Sequence, residues 1–148
     1  MSGAEFRTDK ELFAWSSRSA FGGVTATYVY DIAAKRSTGL FRSAADDVLI
    51  TAAAWRPGAD QYATVQRSAC CGVDLPQTAW LRGRDGSARK LNDQPVVVGE
   101  TWWSRDGSRL FAREGADDST GVIVDLLTGR GVVTFCLRGG GPPPAPCS

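Results

Sequence analysis

The chain contains no histidine among its 148 residues. Histidine is the commonest general base in enzymes, it activates serine and cysteine nucleophiles, and it is the commonest metal ligand. A catalytic site would have to depend on paired carboxylates or on lysine, and no motif in the sequence indicates one. We therefore expect a protein that is not an enzyme, with no catalytic residues, no metal and no other cofactor.

Long hydrophobic runs are also missing. No apolar stretch approaches the roughly 18 residues that a membrane-spanning helix needs. The amino-terminal sequence MSGAEFRTDK has no apolar core of the kind found in signal peptides. We expect no membrane span and a cytoplasmic protein, or a periplasmic or secreted one if a leader has been removed.

Charge of one sign is not in excess. The 17 Lys and Arg and the 16 Asp and Glu give a net charge of +1, and they show no asymmetry along the chain. Surfaces that bind nucleic acid or anionic membranes need clustered positive charge, so we expect no nucleic-acid partner. Hydrophobic residues at 43% and charged residues at 22% are typical of a globular domain.

Cysteine is scarce, and its spacing is uninformative. The four cysteines are Cys70, Cys71, Cys136 and Cys147. Structural zinc sites favour two short Cys-x₂₋₄-Cys pairs, which this spacing does not provide. A disulfide from Cys70 or Cys71 to Cys136 is open if the protein is exported, and buried or idle thiols are favoured otherwise.

Turn signals between short apolar strands are what the sequence does contain. In the stretch from Glu100 to Val133, Asp106-Gly107 and Thr128-Gly129 separate alternating segments. Glycine adopts the positive φ that a hairpin turn needs, and aspartate tolerates it. This stretch therefore predicts one four-stranded antiparallel unit.

Seven further strands are predicted upstream from β-branched, aromatic and alternating patterns. They cover Glu11–Ser16, Thr25–Ile32, Arg36–Arg42, Val48–Trp55, Asp60–Arg67, Gln77–Arg82 and Ala88–Leu91. The nearly continuous apolar run of Val48–Trp55 indicates a strand covered on both faces. We expect residues 1–9 to be a flexible N-terminus and the Gly/Pro-rich residues 138–148 to be a disordered tail.

The predicted strands repeat. The segment Trp55–Tyr62 falls on Trp103–Leu110 without a gap, 48 residues apart, and Leu12-Phe13-Ala14 matches Leu110-Phe111-Ala112. A period of about 43 to 48 residues with four short strands is the spacing of propeller blades. The blade-like β domain is predicted to cover residues 10–137, in units of about 10–46, 47–94 and 95–137.

The segments Trp103–Leu110 and Val122–Gly129 carry the pattern W-S-x-D-G-x-x-L followed by an I-x-V-x-D-L-x-T-G-type hairpin. In this pattern the chain resembles the repeat of TolB-type and related WD-like β-propellers. The resemblance implies an all-β fold of blades and a role in protein binding or substrate gating. It implies no catalytic residue, because these repeats are structural in that family.

Three units are fewer than the four to eight blades of a closed propeller. Three explanations are open: a piece of a longer propeller, a partial propeller that closes by self-association as a homodimer, or a β-sandwich or small barrel built of similar hairpins. Uncovered blade faces would expose apolar surface and attract partners, so a protein partner or a second copy is expected.

Five residues are candidate binding residues. Trp102 and Trp103 point to opposite faces of one strand; the match of Trp103 to Trp55 favours Trp103 for the core and Trp102 for the surface. Asp117 and Asp118 lie in a predicted loop, without the spacing of a calcium site.

Arg82 and Arg84 lie beside the Asp85-Gly86 turn with Arg89-Lys90, where the charges suit either a solvated hairpin edge or an acidic partner. The solvated edge is favoured. The leading hypothesis is a non-enzymatic protein-interaction module. The alternatives are a propeller piece accompanying a peptidase or carbohydrate-active enzyme, and a small sugar-binding lectin that uses Trp102 and loop carboxylates.

Overall fold

The computed structural model describes residues 2–16, 25–43, 48–68, 77–91, 98–117, 120–128 and 130–136, and every regular element in these ranges is a β-strand. The strands are β1 (Ser2–Phe6), β2 (Glu11–Ser16), β3 (Thr25–Asp31), β4 (Arg36–Ser43), β5 (Val48–Trp55), β6 (Gln61–Ser68), β7 (Thr78–Gly83), β8 (Ala88–Lys90), β9 (Val98–Trp103), β10 (Leu110–Asp117), β11 (Thr120–Asp125) and β12 (Arg130–Cys136).

The strands form three antiparallel sheets of four, and each sheet is a meander of consecutive strands. We call them sheet 1 (β1–β4), sheet 2 (β5–β8) and sheet 3 (β9–β12). The all-β class and the four-stranded antiparallel units predicted from the sequence are confirmed. In the described part of the chain no helix is long and apolar enough to cross a membrane.

The structure differs from the sequence-based expectation at the N-terminus. Residues 1–9 were expected to be flexible, but Ser2–Phe6 forms β1 and pairs with β2 along its whole length. Two contacts explain how a polar segment becomes a strand. Gly3 leaves room for the indole of Trp15, and the carboxylate of Glu5 accepts a hydrogen bond from the backbone N–H of Trp55. The expected tail, 138–148, lies outside the described residues.

Two glycine turns take the predicted conformation. Gly86 has a φ of 92° and Gly107 a φ of 72°, and both follow an aspartate. The carboxylate of Asp106 accepts hydrogen bonds from the hydroxyls of Ser104 and Ser108 and from the backbone N–H of Ser108. The third predicted turn includes Gly129, which lies outside the described residues.

Sheets 1 and 2 pack face to face through an aromatic cluster. Phe13 of sheet 1 contacts Trp55 and Tyr62 of sheet 2, with ring centroids 5.4 and 5.2 Å apart, and Val29 completes the cluster. The buried hydroxyl of Thr27 donates to the Tyr62 hydroxyl at 3.1 Å. The cluster holds the first sheet against the second.

Sheets 2 and 3 pack through smaller side chains. Their cluster consists of Ala63, Val65 and Ala79 from sheet 2 and Leu110, Ala112 and Leu126 from sheet 3. Because Tyr62 faces sheet 1 and Ala63 faces sheet 3, sheet 2 is buried on both faces. This arrangement explains the continuous apolar run in β5 and confirms that interpretation of the sequence.

The sheets approach one another most closely at β5. Its backbone lies near β9 on one side and near β1, β2 and β3 on the other. The side chain of Ala52 packs into the cluster with sheet 3, and that of Ala53 into the cluster with sheet 1. In chain order, the three sheets therefore form a stack with sheet 2 in the centre and two faces turned outward.

Candidate functional site

The outward face of sheet 1 is apolar and aromatic. Phe6, Leu12 and Tyr30 lie opposite one another across β1, β2 and β3, and side chains directly opposite one another share a face. Phe13, the neighbour of Leu12, points the other way into the core. Phe6 is 70% exposed, the largest exposure of any large hydrophobic side chain among the described residues. A solvated face of an isolated sheet normally carries polar residues.

A depression lies beside these aromatic residues. Tyr28 is opposite Gly39 in register, and both line an open cleft of about 500 Å³ between β3 and β4. A methyl group added at Gly39 would meet no atom within 4 Å, so the space beside Gly39 is open. The outward face of sheet 1 therefore combines a protruding ring, Phe6, with a recess.

The outward face of sheet 3 presents a second aromatic pair. Trp102 is opposite Phe111 in register; their ring centroids are 6.3 Å apart, and Trp102 is 38% exposed. Trp103 points into the stack, where its Nε1–H donates to the carbonyl of Ala54 at 3.1 Å. The structure thus places Trp102 at the surface and Trp103 between sheets, as the match to Trp55 had suggested.

Arg82 lies between sheets 1 and 2, and not on the solvated hairpin edge that the sequence favoured. Its guanidinium lies 3.8 Å from the ring centre of Phe41. It donates to the hydroxyl of Thr64 at 3.1 Å and to the side-chain carbonyl of Gln66 at 3.0 Å. Burial lowers the pKa of Arg82, and nearby Tyr62 opposes that shift. These contacts make Arg82 part of the packing between sheets.

Arg84 belongs to a different group, at the turn ends of the sheets. Its Nη1 lies 3.9 Å from the carboxylate of Glu11 and 4.0 Å from that of Asp60. Arg7 pairs with both of these carboxylates and lies over the Trp55 ring at 5.1 Å. Two arginines and two carboxylates therefore neutralise one another where sheet 1 meets sheet 2.

The structure describes one of the two carboxylate candidates. Asp117 is the last residue of β10, opposite Thr120, and Asp118 lies outside the described residues. Within the described ranges, no group of three or more Cys, Asp or Glu side chains could hold a metal ion. Cys70, Cys71 and Cys147 lie outside these ranges, and Cys136 ends β12. The structure does not bring Trp102, Arg82 and Arg84 together.

Phe6 was missed as a candidate because its segment is polar. Its position in the predicted repeat would have identified it. Phe6 precedes the first turn of sheet 1 as Trp55 and Trp103 precede the first turns of sheets 2 and 3. No protein-family model matches the chain, and no curated protein is significantly similar to it.

Proposed function

We propose that this chain is a non-enzymatic protein-interaction module, built from three consecutive blades of a partial β-propeller of the TolB-like or WD-like kind. Three stacked four-stranded meanders support the blade interpretation. So does their closest approach at β5, since the strands of propeller blades converge toward a common axis. The module binds its partner through the outward faces of sheets 1 and 3.

The observation that carries this proposal is the exposure of Phe6 and Trp102, one on each outward face of the stack. Aromatic side chains are enriched at the centres of protein interfaces, because they bury a large area at little entropic cost. Arg7 and Arg82, two of the positively charged side chains that a nucleic-acid surface would require, are instead engaged within the protein by an ion pair and by hydrogen bonds. A protein surface is the partner that suits such faces.

Site-specific photo-crosslinking tests the proposal. A photo-reactive phenylalanine analogue replaces Phe6 or Trp102 in the full chain, in cells that produce it. The control places the same analogue at Arg89, which is exposed on β8 away from both faces. We expect defined protein adducts from positions 6 and 102 and none from position 89. Equal labelling from all three positions, or no adduct from any, would contradict the proposal.

A further inference from the structure

The two outward faces are the two halves of a contact that already occurs twice inside the molecule. In each sheet, the last residue of the first strand lies opposite the first or the second residue of the second strand. These opposed pairs are Phe6 with Leu12, Trp55 with Tyr62, and Trp103 with Leu110. They occupy equivalent positions in sheets 1, 2 and 3.

Two of these pairs are covered by the preceding sheet. Trp55 and Tyr62 pack against Phe13 of sheet 1. In the same way, Leu110 is buried against the cluster of sheet 2 that contains Ala63. The third pair, Phe6 with Leu12, occupies the same place on sheet 1 and lacks such a cover, since Phe6 is 70% exposed.

The covering half of the contact is also repeated. Phe13, Ala63 and Phe111 are each the residue after the opposed position on the second strand of their sheet. Phe13 covers sheet 2, and Ala63 covers sheet 3. Phe111 is the third member, and it lies with Trp102 on the outward face of sheet 3. The outward face of sheet 1 therefore lacks a neighbouring sheet that would cover Phe6 and Leu12. The outward face of sheet 3 lacks a neighbouring sheet that Phe111 would cover.

We propose that the partner of each outward face is a second copy of this chain, bound head to tail. The outward face of sheet 1, with Phe6 and Leu12, packs on the outward face of sheet 3 of the other copy, with Phe111 and Trp102. Such a contact continues the packing order of the stack. This inference rests on the proposed function and names its partner.

Head-to-tail contacts between identical chains close into rings or extend into filaments. Two copies supply six sheets, within the four to eight blades at which propellers close. Three copies would supply nine, beyond that range. The structure therefore favours a closed dimer with two equal contacts.

The contact between copies is weaker than the internal ones. Internally, Arg7 lies over Trp55 and Arg56 lies over Trp103, each at 5.1 Å. The equivalent residue of sheet 3 is Ser104, whose backbone N–H donates to the backbone carbonyl of Arg109. The backbone N–H groups of Arg7 and Arg56 donate to the carbonyls of Glu11 and Gln61 in the same way. Without a guanidinium over Phe6, the contact lacks this cation–π contribution, so the dimer dissociates on dilution.

Sedimentation of the full chain over a wide concentration range tests the inference. We expect the mass to rise with concentration to twice the 15.8 kDa of the chain. Phe6→Glu and Trp102→Glu should each weaken association by about tenfold or more, since each places a charge at the centre of the contact. Phe6→Trp introduces the tryptophan that both internal pairs contain and should strengthen association.

Mixing the two weakened variants tests the head-to-tail geometry. The Phe6→Glu chain keeps an intact sheet 3, and the Trp102→Glu chain keeps an intact sheet 1, so a mixture regains one intact contact and forms mixed dimers. Thr38→Glu is the control, because Thr38 is exposed on β4 opposite Val29, on the other face of sheet 1. Unchanged far-ultraviolet circular dichroism shows that each variant folds.

Three results would overturn the inference: a monomer at every concentration, a dimer that neither substitution weakens, or a dimer that only one of them weakens. A dimer weakened by only one substitution would indicate that one outward face binds the same face of the second copy. A monomer that still forms defined crosslinks to another protein from positions 6 and 102 removes the second copy and leaves the interaction module. A monomer without crosslinks removes both proposals.

Discussion

The carboxylate of Asp106 shows how one residue fixes a turn. Its hydrogen bonds from Ser104 and Ser108 lower its pKa to about 2 from a usual 3.8. A carboxyl whose pKa is depressed in the folded state contributes stability above its unfolded pKa, and this contribution disappears as the pH falls through the folded value. The window for Asp106 therefore runs from about pH 4 down to about pH 2.

Asp106→Ala tests this assignment. At pH 7 the variant should melt at a lower temperature than the unaltered protein, and the difference should shrink between pH 4 and pH 2. Thermal unfolding followed by circular dichroism at several pH values measures both effects. Asp106→Asn is the control, because it keeps an acceptor oxygen but does not titrate, so its melting temperature should lack this pH dependence. A constant difference for Asp106→Ala would contradict the assignment.

Gly3 is required by packing, and Gly39 is not. A methyl group at Gly3 would lie 2.5 Å from Nε1 of Trp15, whereas one at Gly39 would meet nothing within 4 Å. We expect Gly3→Ala to lower the free energy of unfolding by roughly 1–3 kcal/mol, because the indole must move. Gly39→Ala should change it little. Urea denaturation compares the two, and equal effects would show that β1 does not hold Trp15 in place.

At the scale of elements, the arginine that follows the first strand of sheet 1 and the one that follows the first strand of sheet 2 each join their sheet to the next. Arg56 lies over Trp103, and its Nε–H donates to the carbonyl of Gly107 at 2.8 Å. Arg7 lies over Trp55 in the same way, but its other partners are the carboxylates of Glu11 and Asp60. The two arginines thus make the same stacking contact with different electrostatic surroundings.

We expect Arg56→Met to destabilise the fold by about 1–2 kcal/mol, from two lost hydrogen bonds, to Gly107 and Gln61, and one lost cation–π contact. Arg7→Met should destabilise it too, but only its effect should diminish in 1 M salt, where the Debye length is roughly 3 Å. Denaturation at low and high salt measures the difference. If salt reduced both effects equally, the ion pairs of Arg7 would contribute nothing measurable.

The sequence predicted most strands to within a residue or two, because β-branched and aromatic alternation and Asp-Gly turns are local signals. Glu11–Ser16 and Val48–Trp55 are the bounds of β2 and β5 in the structure. The pairing register of the strands was harder to predict than their bounds. The sequence aligns Trp80-Leu81-Arg82 with Ile123-Val124-Asp125. The structure displaces this alignment by one residue, since Arg82 lies opposite Tyr62, whereas Asp125 lies opposite Phe111, the residue after Leu110. A displacement of one residue reverses the face.

Two features of the candidate sites could not be read from local sequence. Arg82 lies in a charged stretch that suggests solvent, and only the stacking of sheets brings it onto Phe41. Phe6 lies in a polar segment, and only the pairing of β1 with β2 places it on a sheet face. The position of Arg82 depends on a contact between distant parts of the chain, and that of Phe6 on the pairing of two neighbouring strands. The surface position of Trp102 could be predicted, because it follows from alternation within one strand.

At the scale of the whole molecule, sheet 2 couples the other two sheets. Tyr62 and Ala63 are adjacent in the chain, but they belong to the two different clusters. A change on one face of sheet 2 therefore affects packing on both. This coupling favours a single cooperative unfolding transition over separate melting of each sheet, even though the described strands form three separate sheets.

Val65→Ala tests this coupling, because Val65 is fully buried in the cluster shared with sheet 3. We expect a loss of roughly 1–3 kcal/mol in the free energy of unfolding. The midpoints measured by tryptophan fluorescence and by far-ultraviolet circular dichroism should move together. Thr38→Glu, exposed on sheet 1, should move neither. Separate midpoints for the two probes would show that the sheets unfold independently.

The alanines of β5 have a consequence for curvature. Ala52 and Ala53 place one methyl group in each of the two clusters, at the strand where all three sheets come closest. Stacked sheets that lie closer together along one edge are inclined to one another, and the angle between neighbouring sheets determines how many sheets complete a closed ring. The volume of these two methyl groups would then determine the stoichiometry of any closed ring. A larger side chain at position 52 or 53 would therefore favour a ring with a different number of copies.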